Sequence, residues 1–117
     1  MPAREWSFRV RDMIESIGLI EDYVRGMTYE QFAKDRKTID AVIRNLAIIG
    51  EAANNVPLEV RARLPDIPWD EMRRSRNIVV HVYFGVELPD VWRTVQEDLP
   101  PLKPQLSKLL QGAGGNG

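Results

Sequence analysis

With 117 residues, the chain is long enough to form one domain around a single hydrophobic core. Hydrophobic residues make up 44% of it, and the net charge of −1 argues mildly against the basic excess that many nucleic-acid-binding proteins carry. The absence of cysteine excludes disulfide bonds, thiolate metal sites and a cysteine nucleophile. No apolar run approaches the ~18 residues of a membrane span, and the first residues lack the apolar core of a signal peptide. We therefore expect a cytoplasmic protein without membrane contact.

The first part of the chain predicts a long helix followed by a short one. Apolar residues recur three or four residues apart over 5–25, as on one face of a helix, and Gly26 favours its end. Thr28 and Gln31 have the spacing of a capping box, which predicts the start of a second helix. The apolar face of the first helix consists of Trp6, Val10, Met13, Ile17, Ile20 and Val24.

Two further long helices are predicted in the middle of the chain. The first spans 38–56 and is ended by Pro57, and a short amphipathic turn from Val60 to Leu64 follows. The second runs from Trp69 to about Phe84, since Pro68 suits the first turn of a helix.

The remainder of the chain completes a helical architecture. A helix is predicted over 88–99, a break at 100–101 and a terminal helix over 102–110. We expect one domain over 1–111 and a disordered glycine-rich tail over 112–117. There is no alternating strand pattern, so the sequence predicts an all-α fold, an antiparallel up-down bundle of four to five helices.

The residues that suggest chemistry lie together in the third long predicted helix. They form the run Arg76-Asn77-Ile78-Val79-Val80-His81-Val82-Tyr83, which holds the only histidine of the chain. A cation for phosphate, a proton carrier near neutral pH and a polar residue to orient them are what metal-free RNA cleavage needs.

Helical geometry brings only part of this run together. Asn77 and His81 are one turn apart and share a face, whereas Arg76 is about 140° around the helix from His81. Either the helix end is distorted, or Arg76 approaches the site from a second chain. Taken as an isolated pattern, the run favours His81 as a buried core histidine and Arg76 and Asn77 as ordinary surface groups, because such short patterns recur by chance.

The run resembles a known signature. R-N-x3-H-x-Y at 76–83 is similar to the R-x4-H-x-Y motif of HepT-like toxins of the HEPN superfamily. The resemblance covers roughly residues 6–110 in the right order. It extends to the segments 29–35 and 41–52, to Pro68-Trp69 and to Val91-Trp92 with Leu99-Pro100.

The resemblance implies a function and partners. It implies a HEPN-like bundle that forms a homodimer in which two motifs face one cleft and cleave RNA, tRNA included, without a metal or cofactor. Arg76 and His81 would be catalytic and Asn77 supporting. It also implies a minimal nucleotidyltransferase (MNT) antitoxin as partner, which transfers AMP to the motif tyrosine, here Tyr83, and silences the toxin.

The chemistry of the residues agrees with a dimer. Attack by the ribose 2′-OH needs a base for that hydroxyl and an acid for the leaving 5′-oxygen. One chain offers a single histidine, with a reference pKa of about 6.5, and a two-fold pair would offer two. Two alternatives from other classes stay open: a catalytically silent helical dimer that binds a nucleotidyltransferase, and a protein that holds nucleotides without cleaving them.

Other charged residues carry weaker signals. Arg73 and Arg74 are candidate RNA contacts or an ordinary solvated face, and the sequence does not choose between these. Asp35 and Glu51 match family positions, but we favour a helix cap or a solvated face for each. No metal site is expected, because one histidine with scattered carboxylates is poor ligand spacing, the carboxylates near it being Asp66, Asp70 and Glu71.

Overall fold

The computed structural model describes residues 3–74 and 87–115, with side chains over 6–74 and 87–111. Every element in these ranges is helical, which confirms the predicted all-α, HEPN-like fold. The elements are α1 (Ala3–Val24), α2 (Tyr29–Lys34), α3 (Arg36–Asn54), α4 (Leu58–Arg61), α5 (Trp69–Arg74), α6 (Leu88–Arg93), a π-helical turn (Thr94–Asp98) and α7 (Leu102–Gly115).

The two long helices α1 and α3 pack against each other and form the centre of the structure. The predicted apolar face of α1 is confirmed, since all six of its residues are buried. α7 packs on α1 and α5 packs on α3, so the remaining helices are placed by this pair. Burial of continuous apolar faces is the main source of stability for such helices.

Local backbone and side-chain interactions determine where α1 ends and where α2 begins. Gly26 has a φ of 76°, a left-handed conformation that glycine adopts without strain after α1. The predicted capping box is confirmed, because the Thr28 hydroxyl accepts from the Gln31 amide at 3.2 Å and the Gln31 side chain accepts from the Thr28 amide at 2.9 Å.

α3 begins two residues before the predicted position, because Asp35 caps it. The Asp35 carboxylate accepts a hydrogen bond of 3.1 Å from the Thr38 amide. That bond stabilises the charged form and lowers the pKa of Asp35 below its usual value. The cap interpretation of Asp35 is therefore confirmed.

The helix predicted over 88–99 is in fact two elements. α6 leads into a π-helical turn in which the Leu99 amide donates to the Thr94 carbonyl at 3.0 Å. Apolar residues spaced by four drift about 40° per step around an α-helix. The wider turn offsets that drift, so Val91, Val95 and Leu99 all lie in the core.

Trp92 secures α6 against α2. Its ring centroid lies 5.1 Å from that of Phe32 and 6.2 Å from that of Tyr29, the second pair in an edge-on arrangement.

The third long predicted helix is described only as α5, because 75–86 lie outside the described residues. α7 is helical through Gly115, and the division into a 1–111 domain and a 112–117 tail stays a prediction. Over the described ranges, no helix has both the length and the apolar character needed to cross a bilayer.

We expect Leu106→Ala to lower the free energy of unfolding by about 2–5 kcal/mol, because it leaves a cavity where α7 packs on α1. Leu106 is fully buried. Leu58→Ala is the matched control, since Leu58 is 73% exposed and its loss should change stability by less than about 0.5 kcal/mol. Urea denaturation of the three proteins measures both values. Equal losses in the two variants would contradict the packing described for α7.

Candidate functional site

The predicted motif residues Arg76, Asn77, His81 and Tyr83 lie outside the described residues, so their geometry is not described. The structure does describe the elements on both sides of the motif. α5 ends at Arg74, two residues before Arg76, and the chain is described again from Glu87. The structure therefore describes α5 and α6, the helices on either side of the motif in the sequence.

Arg73 holds the end of α5 to the end of α3. Its Nη1 donates to Asp70 Oδ1 at 2.8 Å, and its Nε donates to Asn54 Oδ1 at 3.3 Å. The first contact lies within α5, and the second joins two helices that are distant in sequence. The guanidinium of Arg73 is thus engaged in protein contacts, which favours a structural role for this candidate RNA contact.

Arg61 completes the same junction and was not singled out by the sequence analysis. Its Nε donates to the Val56 carbonyl at 2.8 Å, and its Nη2 lies 3.4 Å from the Asn54 carbonyl. The Asn54 carbonyl is the last of α3, and such carbonyls have no partner within the helix and carry partial negative charge, so a guanidinium stabilises it. Burial lowers the pKa of Arg61, and the nearby charge of Arg73 adds to this.

Arg74 differs from both of these arginines. It is exposed, and among the described residues it has no hydrogen-bond or ion-pair partner. It lies on the rim of a cavity of about 200 Å³, which we call the α5 cavity. The α5 cavity is lined by Leu46, Ile49, Pro68, Glu71, Met72, Arg74, Thr94, Asp98, Leu99 and Leu102.

The remaining candidates have local explanations. Glu51 is exposed, and its Oε1 lies 3.4 Å from Asn55 Nδ2, so it belongs to a solvated helix face. Asp70 pairs with Arg73. Within 6–74 and 87–111, no three histidine or acidic side chains are grouped closely enough to hold a metal ion. The absence of a metal from the site stays a prediction, because the motif lies outside these ranges.

Comparison with known proteins places the chain in a family. Residues 13–109 match the family model described as "Ribonuclease HepT-like". The chain is 47% identical over 100 residues to a Thermococcus cleftensis protein named "Probable ribonuclease HepT", an alignment covering 86% of this chain and 91% of that protein. A Methanocaldococcus jannaschii protein provisionally named an RNase is 32% identical over 115 residues, covering 98% of this chain and 95% of its own length.

A second protein of that organism is named a gamma-glutamylcyclotransferase and, provisionally, an RNase. It is 41% identical over 99 residues, but the match covers 85% of this chain and 45% of that protein. No solved structure gives a significant match.

An all-α fold in which the motif segment directly follows a helix packed on α3 defines a HEPN-like helical protein. Within that class, the chain belongs to the HepT-like ribonuclease family. The resemblance inferred from the motif and its context is thereby confirmed, and residues 76–83 lie inside the matched range.

We expect Arg61→Ala to lower the free energy of unfolding by about 1–2 kcal/mol, because it removes the charged donor of two carbonyls at the end of α3. Arg44→Ala is the control, since Arg44 is an exposed arginine of α3. It removes the same charge but no contact of this junction. Thermal and urea unfolding of both variants measure the difference. If Arg61→Ala were no less stable than Arg44→Ala, the junction would not contribute to stability.

Proposed function

We propose that this chain is a metal-independent endoribonuclease toxin of a toxin–antitoxin pair, in which Arg76 and His81 carry the chemistry. The observation that supports this most directly is the family match over 13–109, which includes the R-x4-H-x-Y run at 76–83. The relatives named as ribonucleases support RNA as the substrate class. tRNA is the first substrate to test.

The proposed reaction is attack by the ribose 2′-OH on the adjacent phosphorus. The 2′-oxygen forms a bond to phosphorus while the bond from phosphorus to the 5′-oxygen breaks. A base accepts the 2′-OH proton, and an acid gives a proton to the leaving 5′-oxygen. The products are a 2′,3′-cyclic phosphate and a 5′-hydroxyl. His81 transfers protons, Arg76 stabilises the extra negative charge on the phosphorane, and Asn77 orients His81 or the phosphate.

A homodimer supplies what one chain lacks. The sequence has a single histidine, whereas the reaction needs both a base and an acid. Two copies related by a two-fold axis would place two His81 and two Arg76 side chains around one cleft. This arrangement also supplies a route for Arg76 to reach His81, which it lacks on a single straight helix.

Arg73 and Arg74 differ in how strongly they support RNA binding. Arg74 is exposed and without a partner among the described residues, so it is available to RNA. Arg73 already contacts Asp70 and Asn54, so RNA binding would compete with those bonds. Few cations suffice for an enzyme that touches few phosphates, which reconciles the proposal with a net charge of −1.

We further propose that an MNT-type nucleotidyltransferase silences the protein by adding AMP to Tyr83. Tyr83 is two residues from His81 in the sequence. A nucleotide there would put a bulky anion into a cleft that binds the phosphate of RNA, and it would compete with the substrate. The expected compartment of this system is the cytoplasm.

We expect the unmodified protein to cleave total tRNA in the presence of EDTA and to leave 2′,3′-cyclic phosphate ends. His81→Ala should reduce the rate by at least about 100-fold, because it removes the proton carrier. Lys108→Ala, an exposed change on α7, is the control and should cleave normally. Gel analysis and end-group analysis measure these outcomes.

Equal cleavage by wild type and His81→Ala would contradict the proposed role of His81. Cleavage by no protein, with an intact mass that shows no AMP and other RNAs tested, would favour the silent dimer that binds a nucleotidyltransferase.

We expect Tyr83→Phe to retain tRNA cleavage after incubation with the MNT-type enzyme and ATP, because the acceptor hydroxyl is gone. The wild type should gain AMP by intact mass and lose activity. Tyr23→Phe is the matched control, since Tyr23 is 38% exposed on α1 and its loss should leave modification unchanged. Modification of Tyr83→Phe to the wild-type extent would place the AMP on another residue.

A further inference from the structure

The α5 cavity is a feature of the described residues that the proposed chemistry does not use. Its walls come from α3, α5, the π-helical turn and the first residue of α7. Its position follows from α5, since Met72 and Arg74 belong to the last turn before the motif begins in the chain. Only one residue separates Arg74, which lines the cavity, from Arg76 of the motif in the sequence, so we take RNA bound at the motif as the candidate occupant.

The size and apolar lining of the cavity fit one flat heterocycle. Its volume of about 200 Å³ is smaller than the roughly 300–1,000 Å³ of pockets that hold drug-sized ligands. That space suits a base rather than a whole nucleotide. Apolar side chains that pack on the faces of an unstacked base are a common way to hold it. Here they are Leu46, Ile49, Met72, Leu99 and Leu102.

The polar groups of the lining limit which base fits. α5 contributes Glu71 and Arg74, and the π-helical turn contributes Thr94 and Asp98. None of the ion pairs between described residues joins Arg74 to either carboxylate. The lining thus offers carboxylate acceptors from two elements and one guanidinium donor, all without an ionic partner in the described parts of the chain.

Guanine is the base whose edges match this combination. Its N1–H and N2–H groups form a pair of adjacent donors that one carboxylate can accept. Its O6 and N7 form a pair of adjacent acceptors, to which arginine donates in a bidentate manner. Adenine and uracil have neither pair, and cytosine has adjacent acceptors but no pair of adjacent donors.

The π-helical turn gives independent support. Short π segments inside helices occur frequently at functional sites, because the widened turn is otherwise unfavourable. In this chain the turn begins at Thr94 and ends at Asp98, and both residues line the α5 cavity. The irregular backbone therefore lies at the polar part of the cavity and not at a distant position.

We propose that the α5 cavity binds an unpaired guanine base of the RNA, with Asp98 accepting from N1–H and N2–H and Arg74 donating to O6 and N7. This inference rests on the proposed function, because it takes RNA as the substrate. It adds a base preference to a reaction whose chemistry at the phosphate is the same for every base.

The test measures binding of GMP, AMP, CMP, UMP and inosine 5′-monophosphate to the full chain by protein NMR. GMP should bind most tightly, and inosine monophosphate more weakly, since it lacks the N2 amino group. Asp98→Asn should weaken GMP binding by at least about fivefold. It should also reduce the difference between GMP and inosine monophosphate, because the N2 amino group then loses its charged acceptor.

Glu97→Gln is the matched control for Asp98→Asn. It removes one negative charge from the same turn, but Glu97 is exposed and does not line the cavity. GMP binding should be unchanged in it. Arg74→Gln is a second variant, at an exposed position, and it should weaken GMP without affecting UMP. If Asp98→Asn does not fold, the loss of GMP binding in Arg74→Gln tests the proposed site instead.

Cleavage in the tRNA assay separates this inference from the proposed function. Cleavage together with equal binding of all five nucleotides, or with GMP binding that neither variant changes, overturns the guanine site and leaves the ribonuclease intact. Selective GMP binding that is lost in the variants, without cleavage of any RNA, upholds the site and overturns the ribonuclease. No nucleotide binding at all overturns the site.

Discussion

The packing of α1 against α3 is the interaction on which the other elements depend. α1 carries a buried stripe along its whole length, and α3 presents the facing apolar surface. Among the described elements, α5 packs chiefly on α3 and α7 packs chiefly on α1. Because interiors are close-packed and transmit small displacements, the position of α5 up to Arg74 depends on this core.

The end of α3 connects this core to the end of α5, the last described helix before the motif. Asn54 accepts from Arg61 through its main-chain carbonyl and from Arg73 through its side chain. One residue thus holds two cations that would otherwise repel each other. These three arginines consequently have different roles. Arg61 and Arg73 stabilise the junction of α3 and α5, whereas Arg74 is exposed at the rim of the α5 cavity. Counting basic residues in the sequence would have treated all three alike.

The sequence predicted what depends on local pattern. The stripe of α1 and the capping box at Thr28 follow from spacing within a few residues, and both are confirmed. The early start of α3 was missed because its first turn is polar and only the bond between Asp35 and Thr38 reveals it. The role of Arg61 and the π-helical turn depend on contacts between elements, which spacing does not encode. The α5 cavity was likewise unpredictable, since four separate elements line it.

The π-helical turn at Thr94–Asp98 has a consequence for chain length. A π turn contains about one residue more than an α turn, so this turn accommodates one extra residue without displacing the helices on either side. Deleting one residue here would restore regular α-helical hydrogen bonding. The helices on either side would keep their places, because only the extra residue of the wider turn is lost. Between homologous sequences, this turn is therefore a position where a gap of one residue can be accommodated with little structural change.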